Sequence, residues 1–324
     1  MKKIAAALIG TTLGVAAAAA HAQGAVAFPT KPMRLIIPYP PGGGSDTISR
    51  PLVQRVGENL KQQVVVDNRG GAGGNIGMEI AAKSPPDGHT IVFALTAQLA
   101  VNPALYKKIP YDPVKDYAPI TLLATGPYIL VVHPSLPAKS VKQLIALARA
   151  RPNQITYASS GNGSGGHLAN ELLNHMANVK MLHVPYKGGG PALIDLLAGQ
   201  VQVLFATWVS SKPHIENGRI RALGVSTAKR LTGVDIPTIA EEGLPGFDAG
   251  VWYAFLAPAG TPREIVMKLN AEILRAANTP EYKKILANAA IELIGSTPEE
   301  LSKFMKSEIT KWARVVKEAN VHVD

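Results

Sequence analysis

The sequence predicts an α/β protein folded as two lobes that are joined by two crossover segments. Three observations carry that expectation. Apolar strand-like runs alternate with amphipathic helical stretches from residue 34 to the C-terminus. The alternation falls into two successive units followed by a helical tail. Glycine-rich turns recur at the points where strands give way to helices.

In chain order, Arg34-Leu35-Ile36-Ile37-Pro38-Tyr39 reads as a buried strand and breaks at Pro40-Pro41-Gly42-Gly43-Gly44. Residues 45–60 follow as a helix with Ile48, Leu52, Val53 and Val56 on one face. A second strand at 64–66, a glycine-rich loop at 68–74, a helix at 75–82 and a third strand at 90–95 complete the first unit. This β-α-β-α-β rhythm predicts a parallel sheet with helices on both faces. The second unit places strands at 129–132, 155–158, 181–184, 201–205 and 220–225, with helices at 141–149, 166–177, 191–198 and 212–217. A strand at 251–257 leads into helices at 262–277, 280–289 and 298–319. Each of these three starts on proline, whose missing N–H is harmless in a first helical turn. Thr297 adds a cap and Glu299 and Glu300 add first-turn acids. A chain that leaves the first lobe near 123–128 and returns near 250–252 makes two crossovers, a hinge on which the lobes close. The expected lobes are therefore 28–124 plus 251–324, and 125–250.

Met1-Lys2-Lys3, an apolar run at 4–20 and the A-x-A site Ala20-His21-Ala22 form the three-part pattern of a secretory signal. Residues 1–22 are expected to be removed near Ala22, which places the mature chain in the periplasm; a second A-x-A stands at Ala25-Val26-Ala27. The run is rich in Ala, Gly and Thr and is weakly hydrophobic for a permanent span, and no other stretch reaches the length of one. The chain has no cysteine. That excludes disulfides, thiol nucleophiles, zinc–thiolate sites and a lipidated N-terminal cysteine. The protein is expected to move freely as a monomer, with a core large enough to dispense with disulfides. Loss of Lys2 and Lys3 lowers the formal charge from +10 to +8, a sign that attracts anions. The basic residues are dispersed and aromatics make up only 6%, so no nucleic-acid partner is expected.

Four loops carry the functional reading, because ligands of doubly wound sheets bind beyond the carboxyl ends of the strands. In Tyr39-Pro40-Pro41-Gly42-Gly43-Gly44-Ser45-Asp46 the glycines let backbone approach a ligand, Ser45 or Asp46 caps the helix, and the helix N-terminus offers N–H groups to an anion. Asn68-Arg69-Gly70-Gly71-Ala72-Gly73-Gly74-Asn75 again ends a strand and opens a helix. Ser159-Ser160-Gly161-Asn162-Gly163-Ser164-Gly165-Gly166-His167 places hydroxyls and amides at a third helix start, a setting suited to a carboxylate. Tyr186-Lys187-Gly188-Gly189-Gly190-Pro191 is the fourth, with a hydroxyl and a flat ring at Tyr186. Thr96, Thr207 and Trp208 follow strands on the same edge, and Trp208 reads either as a wall of the cleft or as core.

Catalytic and cofactor readings find little support. Gly161-x-Gly163-x-x-Gly166 matches a dinucleotide fingerprint, but the next strand ends in Pro185-Tyr186-Lys187 without the acid that would hold a ribose. No glycine run continues into G-K-[ST], and no histidines stand at metal-ligating spacing, so neither cofactor nor metal is expected. Ser164 lacks the G-x-S-x-G frame, and Ser164 with His167 forms the only hydrolase alternative, an envelope serine hydrolase that would still need an acidic orienter.

Taken together, Tyr39-Pro-Pro-Gly-Gly-Gly-Ser-Asp46, the 68–77 glycine loop, Pro86-Asp-Gly-His-Thr90, Tyr157-Ala-Ser-Ser-Gly-Asn-Gly-Ser164 with His167, Val184-Pro-Tyr-Lys-Gly188, Ile236-Pro-Thr-Ile-Ala-Glu-Glu-Gly-Leu-Pro-Gly246 and Leu256-Ala-Pro-Ala-Gly-Thr-Pro262 resemble the Bug family. These TctC-like proteins are the extracytoplasmic solute receptors of tripartite tricarboxylate transporters. The resemblance runs from about residue 29 to the C-terminus. It implies a periplasmic-binding-protein fold of the Venus-flytrap, type II-like kind, no enzymatic activity, and a carboxylate held between the lobes for a membrane transporter or sensor. Family ligands span di- and tricarboxylates, acidic amino acids and nicotinate- or terephthalate-like aromatic acids. The grip on one carboxylate maps to Ser159, Gly163, Ser164 and His167. The loops Pro41, Gly42 and Gly43, and Ala72, Gly73 and Gly74, are implied to hold ordered water at the far end of the ligand. Many members carry an acid after the strand that here ends at Phe205, whereas this chain has Ala206-Thr207-Trp208. A ligand ammonium would lack its partner, so the expectation turns to plain or aromatic carboxylates, with Trp208 available for stacking.

Overall fold

The computed structural model describes residues 28–231 and 234–318; the expected signal at 1–22 lies outside them. The first strand, β1 (Met33–Ile37), is an apolar run buried along almost its whole length. It lies between β2 (Val64–Asn68) and β3 (Thr90–Leu95), parallel to both. Helices α1 (Gly44–Leu60) and α2 (Asn75–Ala82) connect them. Ile48, Leu52, Val53 and Val56 of α1 face the core, the stripe that the 3.6-residue period demands. A π-helical turn (Ala97–Val101) and the short α3 (Asn102–Leu105) follow β3.

β4 (Tyr117–Val132) is the backbone of the molecule. Its 117–127 stretch pairs antiparallel with β9 (Gly250–Pro258), and from Tyr128 onward it pairs with β7 (Val203–Thr207) and β8 (Arg221–Val225). The change of partner falls between Pro127, opposite Gly250, and Tyr128, opposite Thr207. β5 (Thr156–Ser159) lies parallel to β7, and β6 (Leu182–Pro185) parallel to β5. The strand order is β2-β1-β3-β9-β4-β7-β5-β6, with β8 and the two-residue β10 (Glu292–Leu293) on β4. The second unit's helices are α4 (Val141–Ala150), α5 (Gly165–Ala177), α6 (Gly189–Leu197) and α7 (Trp208–Glu216). The sheet is mixed rather than parallel as the sequence suggested. The two long strands that carry the chain between lobes run against their neighbours, and a strand that must span both lobes cannot also follow the β-α-β direction of either.

Helices α8 (Arg263–Ala277), α9 (Pro280–Asn288) and α10 (Pro298–Glu318) close the first lobe. Pro280 and Pro298 begin their helices, while Pro262 is the residue before α8. Thr297 and Glu300 form a reciprocal capping box: Glu300 N donates to Thr297 Oγ1 at 3.2 Å and Thr297 N to Glu300 Oε2 at 2.8 Å. α10 grips β9 through Glu308, whose Oε2 accepts from the indole N–H of Trp252 at 3.1 Å and of Trp312 at 3.0 Å. No helix among the described residues is long and apolar enough to cross a membrane.

Candidate functional site

A cavity of about 330 Å³ opens between the lobes where the loops following β1, β5, β6 and β7 converge. Four helices point their N-termini at it. α1 enters with Gly43, Gly44 and Ser45, α5 with Ser164 and Gly165, α6 with Gly188, Gly189 and Gly190, and α7 with Thr207 and Ser210. Each N-terminus carries unpaired N–H groups and the positive end of a helix dipole. No side chain caps α1 or α6, whose cap positions are Gly43 and Gly188. The sequence suggested Ser45 or Asp46 as the α1 cap. Instead, Asp46 turns aside to accept from Arg50 Nε at 2.6 Å and Asn68 Nδ2 at 3.3 Å, which removes a carboxylate from the anion's path and leaves the helix start bare.

Among the described residues that line it none is charged. The donors are hydroxyls and amides, and the remaining wall is apolar: Leu95, Leu193, Phe205, Val251 and the rings of Tyr128 and Tyr253. Burial raises the phenol pKa of Tyr39 to about 12 and pushes Tyr128 and Tyr253 upward as well. All three therefore stay protonated and present O–H groups. Tyr39 Oη accepts from Gln98 Nε2 at 2.9 Å, which leaves its proton for another acceptor. Such a pocket suits an anion held by preorganised dipoles rather than by a counter-charge.

The lobes meet at its rim. A Cβ on Gly44 would stand 3.3 Å from Thr207 Oγ1, and one on Gly188 3.6 Å from Pro40 Cδ. Two glycines at the start of α5 are dictated by close neighbours: a Cβ would lie 2.2 Å from Tyr128 Oη at Gly165 and 2.9 Å from the Phe205 carbonyl at Gly166.

Of the residues that the sequence suggested, the structure brings Tyr39, Pro41, Gly42, Gly43, Ser164 and Thr207 to this cavity. Ser164 Oγ caps α5 by accepting from His167 N at 3.4 Å. The others occupy the surrounding framework. Thr96 Oγ1 accepts from Trp252 N at 2.9 Å and ties β9 to the end of β3. Ser159 Oγ is fully buried, accepts from Gly161 N at 3.1 Å and meets His183 Nε2 at 2.7 Å. His167 lies behind the loop with its Nδ1 accepting from Gly163 N at 3.1 Å. Its ring stacks on His183 at 4.0 Å, and Tyr157 completes the stack. Burial and His183 lower the His167 pKa to about 3, and burial lowers that of His183 to about 4. Both rings are neutral, so His167 serves as an acceptor for the loop and not as a cation. Tyr186 Oη donates to Asp195 Oδ2 at 2.6 Å, and desolvation together with that carboxylate raises its pKa to about 12. Trp208 packs into the second lobe's apolar cluster with Leu193, Leu196 and Val225, outside the cavity lining. Of the 72–74 turn, which lies outside the cavity lining, Gly73 faces the Asn162 carbonyl of the other lobe, whereas Gly74 packs against Gln98 of its own. Sequence reasoning missed Tyr128, Val251 and Tyr253. They lie on the crossover strands, where apolar alternation reads as core, and only the pairing reveals that β4 and β9 border the cavity where β4 changes partner.

A serine hydrolase is not assembled here. No hydrogen bond joins the His167 ring to Ser164 Oγ, and the ring nitrogen Nδ1 is occupied by Gly163 N. Among the described residues no cluster of three or more His, Cys, Asp or Glu is arranged to hold a metal.

Comparison with known proteins places this site in context. The profile of the tripartite tricarboxylate transporter family receptor, TctC, matches residues 48–321. The chain belongs to the TctC receptor family. BugT of Bordetella pertussis is 37% identical over 96% of this chain and 96% of its own length. An R. palustris protein solved with adipate is 38% identical, with a TM-score of 0.88 over 91% of this chain and 99% of that one. MatC from Rhodopseudomonas palustris, solved with bound malate, is 31% identical, with a TM-score of 0.86 over 89% of this chain and 100% of that one. The two-lobed periplasmic-binding-protein fold expected of a TctC receptor is the fold of this chain. TctC proteins are periplasmic receptors that work with membrane transporters; they bind solute and are not enzymes.

Proposed function

We propose that this TctC receptor captures a small carboxylate, foremost a dicarboxylate with an apolar body, in the cavity between lobes 28–124 plus 251–324 and 125–250, and presents it to a tripartite tricarboxylate transporter. The convergence of four helix N-termini from both lobes on one uncharged cavity carries the reading. One anionic group meets the hydroxyls and amides of Ser164, Gly165, Gly188–Gly190 and Thr207; a second meets Gly43, Gly44, Ser45 and the Tyr39 phenol. Leu95, Phe205, Val251 and Tyr253 enclose what lies between. An ammonium group would find no carboxylate among the described lining residues and would face four positive dipole ends, which favours plain carboxylates over amino acids. The relatives solved with adipate and malate support the substrate class. The chain acts as a monomer, exported to the periplasm and cleaved near Ala22, in keeping with its N-terminal pattern.

The test uses the mature chain, unfolded and refolded to strip retained ligand, in thermal melts and calorimetry against a panel of mono-, di- and tricarboxylates and acidic amino acids. A ligand at about 100-fold excess over its Kd stabilises by about 2.7 kcal/mol, a rise of several degrees in Tm. Stoichiometry near one with a dicarboxylate is expected. A flat response to every acid would sink the proposal.

A further inference from the structure

A second seam joins the lobes away from the cavity. Immediately after α3, the Tyr106 phenol donates to the Asn162 carbonyl across the gap at 3.1 Å. Gly73 lies under this bond: a Cβ there would stand 2.5 Å from Tyr106 Oη and 2.9 Å from the Asn162 oxygen. Gly163 presses against the same elements, with a Cβ position 2.6 Å from Leu105 Cδ2 and 2.8 Å from Asn102 Oδ1. Both glycines have positive φ, +65° and +75°, so a side chain at either is opposed by backbone conformation as well as by space. Each half of the seam is held from behind. In the first lobe Asn102 Nδ2 donates to the Gly73 carbonyl at 3.2 Å and to Asn75 Oδ1 at 2.7 Å. In the second, Gly163 N is held by His167. Asn102 Oδ1 is buried and faces Gly163, so the side chain that braces the Gly73 carbonyl also meets the opposing loop. None of Gly73, Asn102, Tyr106, Asn162 or Gly163 lines the ligand cavity.

We propose that Tyr106 and the Asn162–Gly163 turn form a closure latch, a lobe-to-lobe contact that favours the closed form without touching ligand. The contact exists only when the lobes are shut, so it adds to the stability of that state alone. Apparent affinity scales with the fraction of protein in the competent state. The latch therefore tightens every ligand by one common factor and leaves the order of preference to the cavity.

Tyr106→Phe removes one hydroxyl and keeps the ring. Adipate and malate are the probes, and small-angle scattering of the ligand-free protein is the readout of closure. The expected result is a loss of about two- to five-fold in affinity for both acids, bounded by one net hydrogen bond, with their ratio unchanged, the ligand-free Tm nearly unchanged and a larger ligand-free radius of gyration. Gly163→Ala, which wedges the seam apart, loses ten-fold or more with the same constant ratio. A change confined to one acid would make Tyr106 a ligand contact and overturn the latch. So would a Tyr106→Phe protein whose scattering and affinities equal those of the wild type. If the wild type binds neither acid while Tyr106→Phe still expands the ligand-free protein, the latch stands and the carboxylate reading falls; if the scattering is also unchanged, both fall.

Discussion

Ser164 does two jobs with one hydroxyl. It caps α5 and it lines the cavity, so Ser164→Ala is expected to lower stability by about 1 kcal/mol in urea titrations and to weaken carboxylate binding by roughly ten-fold in calorimetry, as charge-assisted hydrogen bonds do. His167 and His183 contribute to the acid response. Their folded pKa values, about 3 and about 4, lie below the ordinary 6.5. Between those values the unfolded chain binds more protons, so the stability these two rings contribute is fully present above about pH 6.5 and is lost as pH falls toward 4. Glu171, raised by burial, acts with the opposite sign in the range above its ordinary 4.5. His183→Gln is therefore expected to flatten the loss of urea midpoint between pH 6.5 and 4.5. An unchanged slope would show that other groups control it. Much at this scale was legible in the sequence: Ser164, Thr207 and the 41–43 loop stand out as hydroxyls and glycines where strands turn into helices. His167 was legible as important but not as an acceptor buried behind the loop, because a ring's partners are set by tertiary packing from β6, which no local spacing encodes.

Among the elements, α5 shows most clearly how sequence becomes position. It begins with Gly165-Gly166 because β4 and β7 pass within contact distance of its first turn. Gly166→Ala would push against a backbone carbonyl that cannot rotate away, and a loss of about 1–3 kcal/mol is expected in chemical denaturation, the scale of overpacking. Gly165→Ala displaces the Tyr128 hydroxyl at the cavity wall and is expected to weaken ligand binding beyond ten-fold in calorimetry while leaving far-UV circular dichroism unchanged. Most helices were readable within a residue or two, since their apolar faces and prolines mark them, but α7 begins at Trp208, four residues before the expected 212, and the short α3 was not foreseen. β4 was not. Only 129–132 looked like strand, because Pro119, Gly126 and Pro127 interrupt the pattern. They are tolerated where β4 bulges and changes partner. The antiparallel direction of β4 and β9 was likewise hidden, since strand direction is a property of pairing and not of the run itself.

At the level of the whole molecule, a basic chain, +10 in full and +8 without residues 1–22, surrounds a cavity with no charge among its described lining residues. The surface steers and the pocket holds. Association rates for a dicarboxylate are expected to fall several-fold between low salt and about 0.5 M NaCl, while dissociation rates stay nearly constant, in stopped-flow measurements. A dissociation rate that tracks salt equally would place a fixed charge against the ligand after all. The arrangement of helix ends has a further consequence for delivery. A receptor must surrender its cargo as readily as it seizes it. On the proposed reading the attraction is divided between the two lobes, α1 in one and α5, α6 and α7 in the other. Parting them by a few ångströms weakens a field that decays within a helical turn. Unloading then asks only for mechanical separation, with no proton to deliver and no cation to displace.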